Sequence, residues 1–214
     1  MPIIQHIVPK SDYCLGLWHI SENIHRLKAN MKAVMHTDKH FSASVSPIIQ
    51  KEYYATRLLL YQLANQMALP LQGITKSNTG APYPMPKGYF LALAHAYPYA
   101  FAGICKKQAI GVDLMSMADK KQAQSVAHKF LSPQEQQFCS LNPRRYIWVW
   151  VLKEAAYKRC QMKGISFKKE LNLDEKTLNN PNNNLKSAYM HSPKGILSLN
   201  TLIYNNMICA YTLN

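Results

Sequence analysis

The sequence predicts an α+β protein, because each half of the chain carries one long helical pattern and several short strand-like runs. Its 214 residues are 48% hydrophobic, which supports one larger domain or two small ones with cores of their own and excludes disorder. The arrangement is compatible with two similar subdomains. Sequence similarity between the halves is too weak to establish a repeat.

In the first half, Tyr53–Leu69 has apolar residues at helical spacing and stops before Pro70, which predicts a long core helix. Its one strong base, Arg57, is expected near the N-terminal end, where the helix dipole does not favour a cation. An anionic partner or simple solvation would each account for this arginine. The stretch at 77–88 is rich in Gly and Pro and predicts a loop.

Three apolar runs then predict strands, at Tyr89–Tyr97, Tyr99–Cys105 and Ala109–Leu114. His95 and Asp113 are the polar exceptions in this block. A histidine in a strand is commonly a satisfied core or edge residue. An aspartate that ends an apolar strand indicates a site more strongly, because strands disfavour Asp and strand ends commonly present site residues.

The second half begins with a helical pattern at Lys120–Phe130. The next helix has a complete start signal, with Ser132 as N-cap, Pro133 at the first helical position and Glu135 at the third. A hydroxyl and a carboxylate at this spacing satisfy two backbone N–H groups reciprocally. We therefore expect a capping box at this point.

Another helix is predicted at Tyr146–Met162, ended by Gly164. It carries the run W-V-L-K-E-A-A-Y-K, in which Glu154 and Lys158 are four residues apart. Such a pair adds about 0.2 to 0.5 kcal/mol to an isolated helix, so the run by itself predicts a charged helix surface. Two apolar runs close the chain as predicted strands, at residues 196–204 and 207–213.

The charge balance is strongly basic. The chain has 25 Lys and Arg against 11 Asp and Glu, a net charge of +14, and such a field attracts polyanions. Phosphates, nucleic acids, acidic proteins and anionic membrane surfaces all qualify, and the bases are spread as on a charged face of a folded body. No R-G-G, zinc-finger or aromatic-sheet signature is present, so we expect no nucleic-acid partner.

The N-terminus lacks the charged start and apolar run of a secretory signal, and no apolar stretch approaches the roughly 18 residues of a membrane span. We expect a cytoplasmic protein with no membrane partner. The five cysteines are scattered and form no C-x-x-C pair, which favours reduced packing residues over a disulfide framework or a zinc site.

Two motifs stand about forty residues apart, G-V-D at 111–113 and W-x-x-K-E-x-x-x-K at 150–158, with F-L-S-P-x-E between them. Their order and spacing resemble the 4′-phosphopantetheinyl transferase superfamily. The G-A-P at 80–82 and the strand histidine His95 fall in the order seen in its larger, surfactin-type branch. The resemblance therefore spans nearly the whole chain.

This resemblance implies two similar subdomains related by a pseudo-two-fold axis, at residues 1–108 and 109–214, each a long helix packed on a small antiparallel sheet. It also implies an enzyme that moves the 4′-phosphopantetheine arm of coenzyme A onto a serine of an acidic acyl or peptidyl carrier protein. Adenosine 3′,5′-bisphosphate is the other product, and Mg²⁺ is the cofactor. A monomer would already enclose the site, so we expect a monomer.

The chemistry explains the residue types in the two motifs. A divalent cation held by carboxylates polarises the pyrophosphate, a lysine stabilises developing charge, and a base takes the serine proton. By the motif match, Asp113 and Glu154 are the metal ligands, and Glu154 is also the candidate proton acceptor. Lys158 matches the lysine that contacts the pyrophosphate, so Glu154 and Lys158 are the candidate catalytic residues.

The resemblance implies further contacts with coenzyme A. His95 matches the histidine of the family's S-H-S segment, which contacts a phosphate of coenzyme A. Arg57 matches an upstream base that reads the adenosine-side phosphate. Lys153 matches a family lysine of less defined role and is assigned with Lys158 to the same set of coenzyme A contacts.

The sequence also departs from the commonest family pattern. Met115 stands where a second acid is frequent, and a thioether is a poor ligand for Mg²⁺, which prefers oxygen. Alanines replace two serines and a lysine, at Ala94, Ala96 and Ala81. Lys76 or Lys87 are alternatives for the lost lysine. These departures indicate weakened metal affinity or, alternatively, a non-catalytic relative that binds coenzyme A or a carrier protein.

Overall fold

A computed structural model describes residues 3–10, 12–35, 41–180 and 185–212. Helices and antiparallel sheets are both present, so the α+β prediction is confirmed. The chain divides into two compact units, Met1–Ala109 and Ile110–Asn214. The pseudo-two-fold relation between the two predicted subdomains stays a prediction.

The first unit is built around helix α2 and a four-stranded antiparallel sheet of strand order β1-β2-β6-β5. Gly16 of β2 leaves room for Leu59 and Leu63 of α2. A Cβ atom on Gly16 would lie 2.9 Å from a methyl group of Leu59 and 3.1 Å from one of Leu63, so the absence of a side chain lets helix and sheet pack closely. A separate hairpin joins β3 and β4. The elements are β1 (Ile3–Lys10), β2 (Tyr13–His19), α1 (Ile24–Met35), α2 (Pro47–Gln66), β3 (Gly73–Lys76), β4 (Pro82–Met85), β5 (Phe90–Ala96) and β6 (Tyr99–Cys105).

Helix α2 begins earlier than the sequence pattern predicted. It starts at Pro47, where the side chain of Ser46 accepts a hydrogen bond from the amide of Ile48 at 3.2 Å. Proline at the first helical position and serine as N-cap stabilise this start. Arg57 consequently lies in the middle of the helix and not near its N-terminal end, so the argument from the helix dipole was wrong.

The Gly- and Pro-rich stretch at 77–88 is only partly a loop. Its residues Pro82–Met85 form strand β4, which pairs antiparallel with β3. Proline is tolerated in this two-stranded ribbon because each strand has an edge that needs no ladder hydrogen bond. The strands predicted on either side of Tyr97 are confirmed as the hairpin β5–β6.

The second unit is built around helix α6 and a five-stranded antiparallel sheet of strand order β7-β11-β10-β9-β8. Apolar residues of α6 pack with those of the sheet in one buried cluster. The elements are β7 (Val112–Ser116), a 3₁₀ turn (Met117–Asp119), α3 (Lys120–Ser125), α4 (Ala127–Phe130), α5 (Pro133–Ser140), α6 (Arg144–Cys160), α7 (Phe167–Glu170), β8 (Asn172–Leu173), α8 (Glu175–Leu178), β9 (Ser187–Ser192), β10 (Gly195–Tyr204) and β11 (Met207–Thr212).

The helices of the second unit follow some of the predicted start and end signals. The capping box is confirmed, since the Ser132 hydroxyl accepts from the Glu135 amide and a Glu135 oxygen accepts from the Ser132 amide. The predicted helix at Lys120–Phe130 breaks at Val126 into α3 and α4. Helix α6 ends at Cys160, before the predicted Met162, and the left-handed residue that caps it is Gln161 and not the predicted Gly164.

All five cysteines are buried and free, in agreement with the prediction of packing residues. In the part of the chain that the structure describes, no helix is both long and apolar enough to cross a bilayer.

Candidate active site

Gly111 fixes the distance between strand β7 and helix α6. A Cβ atom at this position would overlap the carbonyl oxygen of Ala155 and lie 2.8 Å from the amide nitrogen of Arg159. Only glycine allows the two backbones to approach so closely. The glycine of the G-V-D motif therefore lets the helix lie directly against the strand that carries Asp113.

Asp113 and Lys158 form an ion pair across this close contact. The Nζ atom of Lys158 donates to Oδ1 of Asp113 at 2.7 Å and to the carbonyl oxygen of Val112 at 3.1 Å. The Asp113 side chain is 12% exposed and the Lys158 side chain 31% exposed. This pair is shielded from bulk water but remains open to a ligand.

Glu154 lies one helical turn before Lys158 and is half-buried. Burial raises the pKa of the Glu154 carboxyl, the charge of Asp113 raises it further, and Lys158 opposes the shift. Two carboxylates thus interact in a partly dry place, where a second cation would relieve their repulsion.

This pair of carboxylates fits Mg²⁺. The ion prefers oxygen ligands, and proteins usually hold it by one or two carboxylates while substrate phosphates and water complete the octahedron. Among the described residues no group of three or more His, Cys, Asp or Glu side chains could hold a metal. Met115, two residues along β7 from Asp113, is a half-buried thioether packed against the core and adds no oxygen.

Lys153 also projects from α6 but is fully buried. Its Nζ atom donates to Oε2 of Glu135 at 2.6 Å and to the carbonyl oxygens of Phe130 and Phe167, each at 2.8 Å. These bonds use all three N–H groups of the ammonium. Burial lowers the pKa of Lys153, and the Glu135 carboxylate opposes that shift. The arrangement argues against the predicted contact with coenzyme A and gives Lys153 a structural role.

Glu135 is saturated in the same way. Its Oε2 atom accepts from the Ser132 amide at 2.8 Å as well as from Lys153, and Oε1 accepts from the Leu173 amide at 2.9 Å. One buried carboxylate thereby joins the start of α5, the middle of α6 and strand β8. The centre of the Trp150 ring lies 4.9 Å from that of the Phe130 ring in an edge-on contact.

In the first unit, His95 is held by a carboxylate that the sequence pattern did not single out. Its Nδ1 atom lies 3.1 Å from Oε2 of Glu52, and Oε1 of Glu52 accepts from the Tyr97 amide at 3.0 Å. The His95 side chain is 48% exposed and the Glu52 side chain 11% exposed.

Arg57 is held against its own helix. Its guanidinium carbon lies 3.5 Å from the centre of the Tyr53 ring, and Nη1 donates to the Tyr53 carbonyl oxygen at 3.1 Å and the Thr56 hydroxyl at 3.2 Å. Burial lowers its pKa, although arginine keeps its charge at any ordinary pH. The group is a preorganised cation on α2.

The predicted residues therefore fall into three groups. Asp113, Glu154 and Lys158 meet in the second unit, whereas Lys153 on the same helix is buried away from them. Arg57 and His95 belong to the first unit. Sequence reasoning placed Glu135 in a capping box but missed its contact with Lys153, and it missed the contact of Glu52 with His95. The scarcity of acids, 11 in the whole chain, was the available signal.

Comparison with known families finds a similarity over the second unit. Residues 109–211 match the family model of the 4′-phosphopantetheinyl transferase superfamily. This part of the chain is similar to the domains of that superfamily, which supports a transferase of phosphopantetheine groups. A search of curated proteins found no match to the chain.

Proposed function

We propose that the protein transfers the 4′-phosphopantetheine group of coenzyme A to a serine of an acyl or peptidyl carrier protein and releases adenosine 3′,5′-bisphosphate. The observation that carries this proposal is the meeting of Asp113, Glu154 and Lys158 within a segment that matches the superfamily model. On this proposal the protein is a holo-acyl-carrier-protein synthase, and the carrier belongs to fatty-acid, polyketide or peptide synthesis.

Asp113 and Glu154 would hold Mg²⁺ between them, with water and phosphate oxygens as the other ligands. Bound there, the ion would polarise the pyrophosphate of coenzyme A and neutralise charge on its oxygens. The raised pKa of Glu154 supports this assignment, since two interacting carboxylates in a partly buried place favour a cation.

Lys158 would contact the pyrophosphate. In the structure its ammonium neutralises Asp113. With Asp113 engaged as a metal ligand, Lys158 would be free to donate to a pyrophosphate oxygen and to stabilise the charge that develops on the leaving group. Its 31% exposure leaves it accessible for that role.

Glu154 is the proposed acceptor of the serine proton, directly or through a water that it orders. As the serine oxygen forms its bond to the phosphorus of the pantetheine phosphate, the bond from that phosphorus to the bridging oxygen breaks. The serine proton moves to the base, and adenosine 3′,5′-bisphosphate leaves with the bridging oxygen.

The net charge of +14 supports the proposed partners, because coenzyme A is polyanionic and carrier proteins are acidic. Arg57 and His95 are proposed contacts of the coenzyme A phosphates, on the basis of the family resemblance and of the N–H groups that a guanidinium and an imidazole can donate. A monomeric, cytoplasmic enzyme of the surfactin type is part of the same proposal.

The direct test is to incubate the protein with coenzyme A, Mg²⁺ and several apo carrier proteins and to measure carrier mass. We expect a gain of one phosphopantetheine group, abolished by chelation of the metal and by replacement of the carrier's acceptor serine. No mass gain on any carrier, together with coenzyme A binding that is indifferent to Mg²⁺ in calorimetry, would favour a non-catalytic relative.

A further inference from the structure

We infer that Glu52 is a positioning residue: it holds His95 with Nδ1 protonated, so that Nε2 is presented to a phosphate group of the coenzyme A substrate. This inference rests on the proposed function for the identity of the ligand. The contact between Glu52 and His95 itself stands on the geometry of the first unit.

Glu52 is a nearly buried carboxylate with both oxygens engaged. Oε2 faces Nδ1 of His95 at 3.1 Å, and Oε1 accepts from the Tyr97 amide at 3.0 Å. Because one oxygen is fixed by a backbone amide at the end of β5, the other has a defined direction. The carboxylate therefore orients the imidazole as well as contacting it.

The contact selects one protonation pattern of the ring. A carboxylate oxygen can only accept, so the nitrogen that faces it must carry a proton. Nε2 lies on the opposite side of the imidazole, and the side chain is 48% exposed. When the ring is protonated, Nε2 donates a charge-assisted hydrogen bond, the kind that a phosphate oxygen accepts best. A phosphate and Glu52 would then hold the imidazolium between two anions.

The frame that carries this pair is rigid. Glu52 lies in α2 and His95 in β5, which pairs with the fully buried strand β6 at Ala100. The same helix presents Arg57, stacked on Tyr53 and bonded to its carbonyl oxygen. The imidazole of His95 and the guanidinium of Arg57 are thus each held by a contact with α2.

The substitution Glu52→Gln tests the inference with little disturbance of the fold, because the amide oxygen can still accept from the Tyr97 amide. The amide nitrogen would face Nδ1 and donate to it, which moves the ring proton to Nε2. Long-range ¹⁵N–¹H spectra at about pH 8 distinguish the two tautomers. We expect protonated Nδ1 in the native protein and its loss in the variant; protonated Nε2 in the native protein would overturn the inference.

Kinetic constants distinguish a Glu52 that positions His95 from one that only stabilises the β5–β6 hairpin. In Glu52→Gln we expect the KM for coenzyme A to rise about tenfold, with kcat changed less than about twofold. In a His95→Ala background the same substitution should leave the KM unchanged, because its effect passes through the imidazole. An equal rise in both backgrounds would assign Glu52 a structural role only. Asp12→Asn, which breaks an exposed contact with Lys107 in the same unit, is the matched control and should change neither constant.

The outcome can be separated from that of the proposed function. Calorimetry with coenzyme A gives the same double-mutant cycle as binding constants, without turnover. If the protein transfers nothing but the cycle shows coupling between Glu52 and His95, the proposed function fails and the inference stands. If carriers are modified but the cycle shows no coupling, the inference fails and the function stands.

Discussion

Helix α6 carries two lysines five residues apart, and each contacts a carboxylate, yet the two pairs have opposite surroundings. Lys153 and Glu135 are both 0% exposed, and three acceptors take the protons of the ammonium. Lys158 and Asp113 are 31% and 12% exposed and lie beside a second carboxylate, Glu154. The pair Lys153–Glu135, called the closed pair below, is therefore shut off from solvent, whereas the pair Lys158–Asp113, called the open pair, is accessible to a ligand.

The difference separates stability from chemistry. Removing one member of a buried pair leaves the other charge without a partner in a dry place and is strongly destabilising, whereas a partly exposed pair contributes little to folding. The open pair also carries the unfavourable proximity of Asp113 and Glu154, which raises the pKa of Glu154. We expect substitutions at the closed pair to unfold the protein and those at the open pair to inactivate it.

The largest expected effect is that of Glu154→Gln on transfer. The variant loses the carboxylate proposed both as a metal ligand and as the proton acceptor, so we expect the rate to fall at least about 1,000-fold, equivalent to roughly 4 kcal/mol. The fold should be unchanged or slightly stabilised, because a neutral amide avoids the burial and repulsion that raise the pKa of Glu154. The rate of carrier mass gain and thermal unfolding measure the two effects.

The matched control for this variant is Glu175→Gln, which neutralises an exposed carboxylate at the start of α8. It should retain full activity. Full activity in Glu154→Gln would instead show that the W-V-L-K-E-A-A-Y-K run is only a charged helix surface. It would also remove the main argument that Asp113 and Lys158 belong to an active site.

At the closed pair, Lys153→Met is expected to lower the free energy of unfolding by about 3 to 5 kcal/mol, because Glu135 stays buried without its cation. Chemical denaturation measures this loss, and activity per folded molecule should stay within a few-fold of the native value. The exposed Lys169→Met serves as control and should change stability by less than about 0.5 kcal/mol. If Lys153→Met keeps native stability but no longer binds coenzyme A, Lys153 contacts coenzyme A directly, as the family resemblance implies.

Lys158→Met should show the reverse pattern. We expect transfer to fall about 100-fold, because the charge that develops on the leaving group loses its lysine. Stability should change by no more than about 1 kcal/mol, since the pair is partly exposed. Parallel unfolding and transfer assays on the Lys153 and Lys158 variants test the comparison directly. Equal losses of stability in the two variants would show that the two ion pairs do not differ in their contribution to folding.

The open pair could be predicted largely from local patterns. Residues four apart lie on one helix face, so Glu154 and Lys158 were expected together. The family pattern added Asp113, which lies near the start of β7 and not, as predicted, at the end of a strand. The burial of Lys153 could not be predicted in this way, because it depends on Glu135 in another helix. Neighbouring helical residues point about 100° apart, however, which already separates Lys153 from Glu154.

The fold was predicted best where signals were complete. The Ser132-Pro133 start gave α5 correctly, whereas the same pair of residue types at Ser46-Pro47 was overlooked and α2 was begun at Tyr53. Apolar periodicity weakens over the first turns of α2, where Ile48 and Ile49 are exposed, so the cap was the only available signal. Strand β4 was missed because its two prolines read as a loop.

The smallest expected effect extends the comparison to the first unit, where Tyr89 is another closed contact. Its hydroxyl donates to the Pro70 carbonyl oxygen at 2.6 Å, and the residue is 5% exposed. Tyr89→Phe should cost about 1 kcal/mol of stability at neutral pH and leave transfer unchanged. Burial raises the pKa of Tyr89 to about 12 from an ordinary value of 10.0.

Between these two values the unfolded chain releases the Tyr89 proton and the native protein keeps it. The native state then binds more protons than the unfolded state, so this contribution to stability falls as the pH rises from about 10 to 12. The phenylalanine variant has no such group, and the advantage of the native protein should shrink over that window. Urea midpoints of both proteins at about pH 7 and pH 11 measure the change. If the difference between the two midpoints is the same at both pH values, the Tyr89 hydroxyl is not shielded from solvent in the native protein.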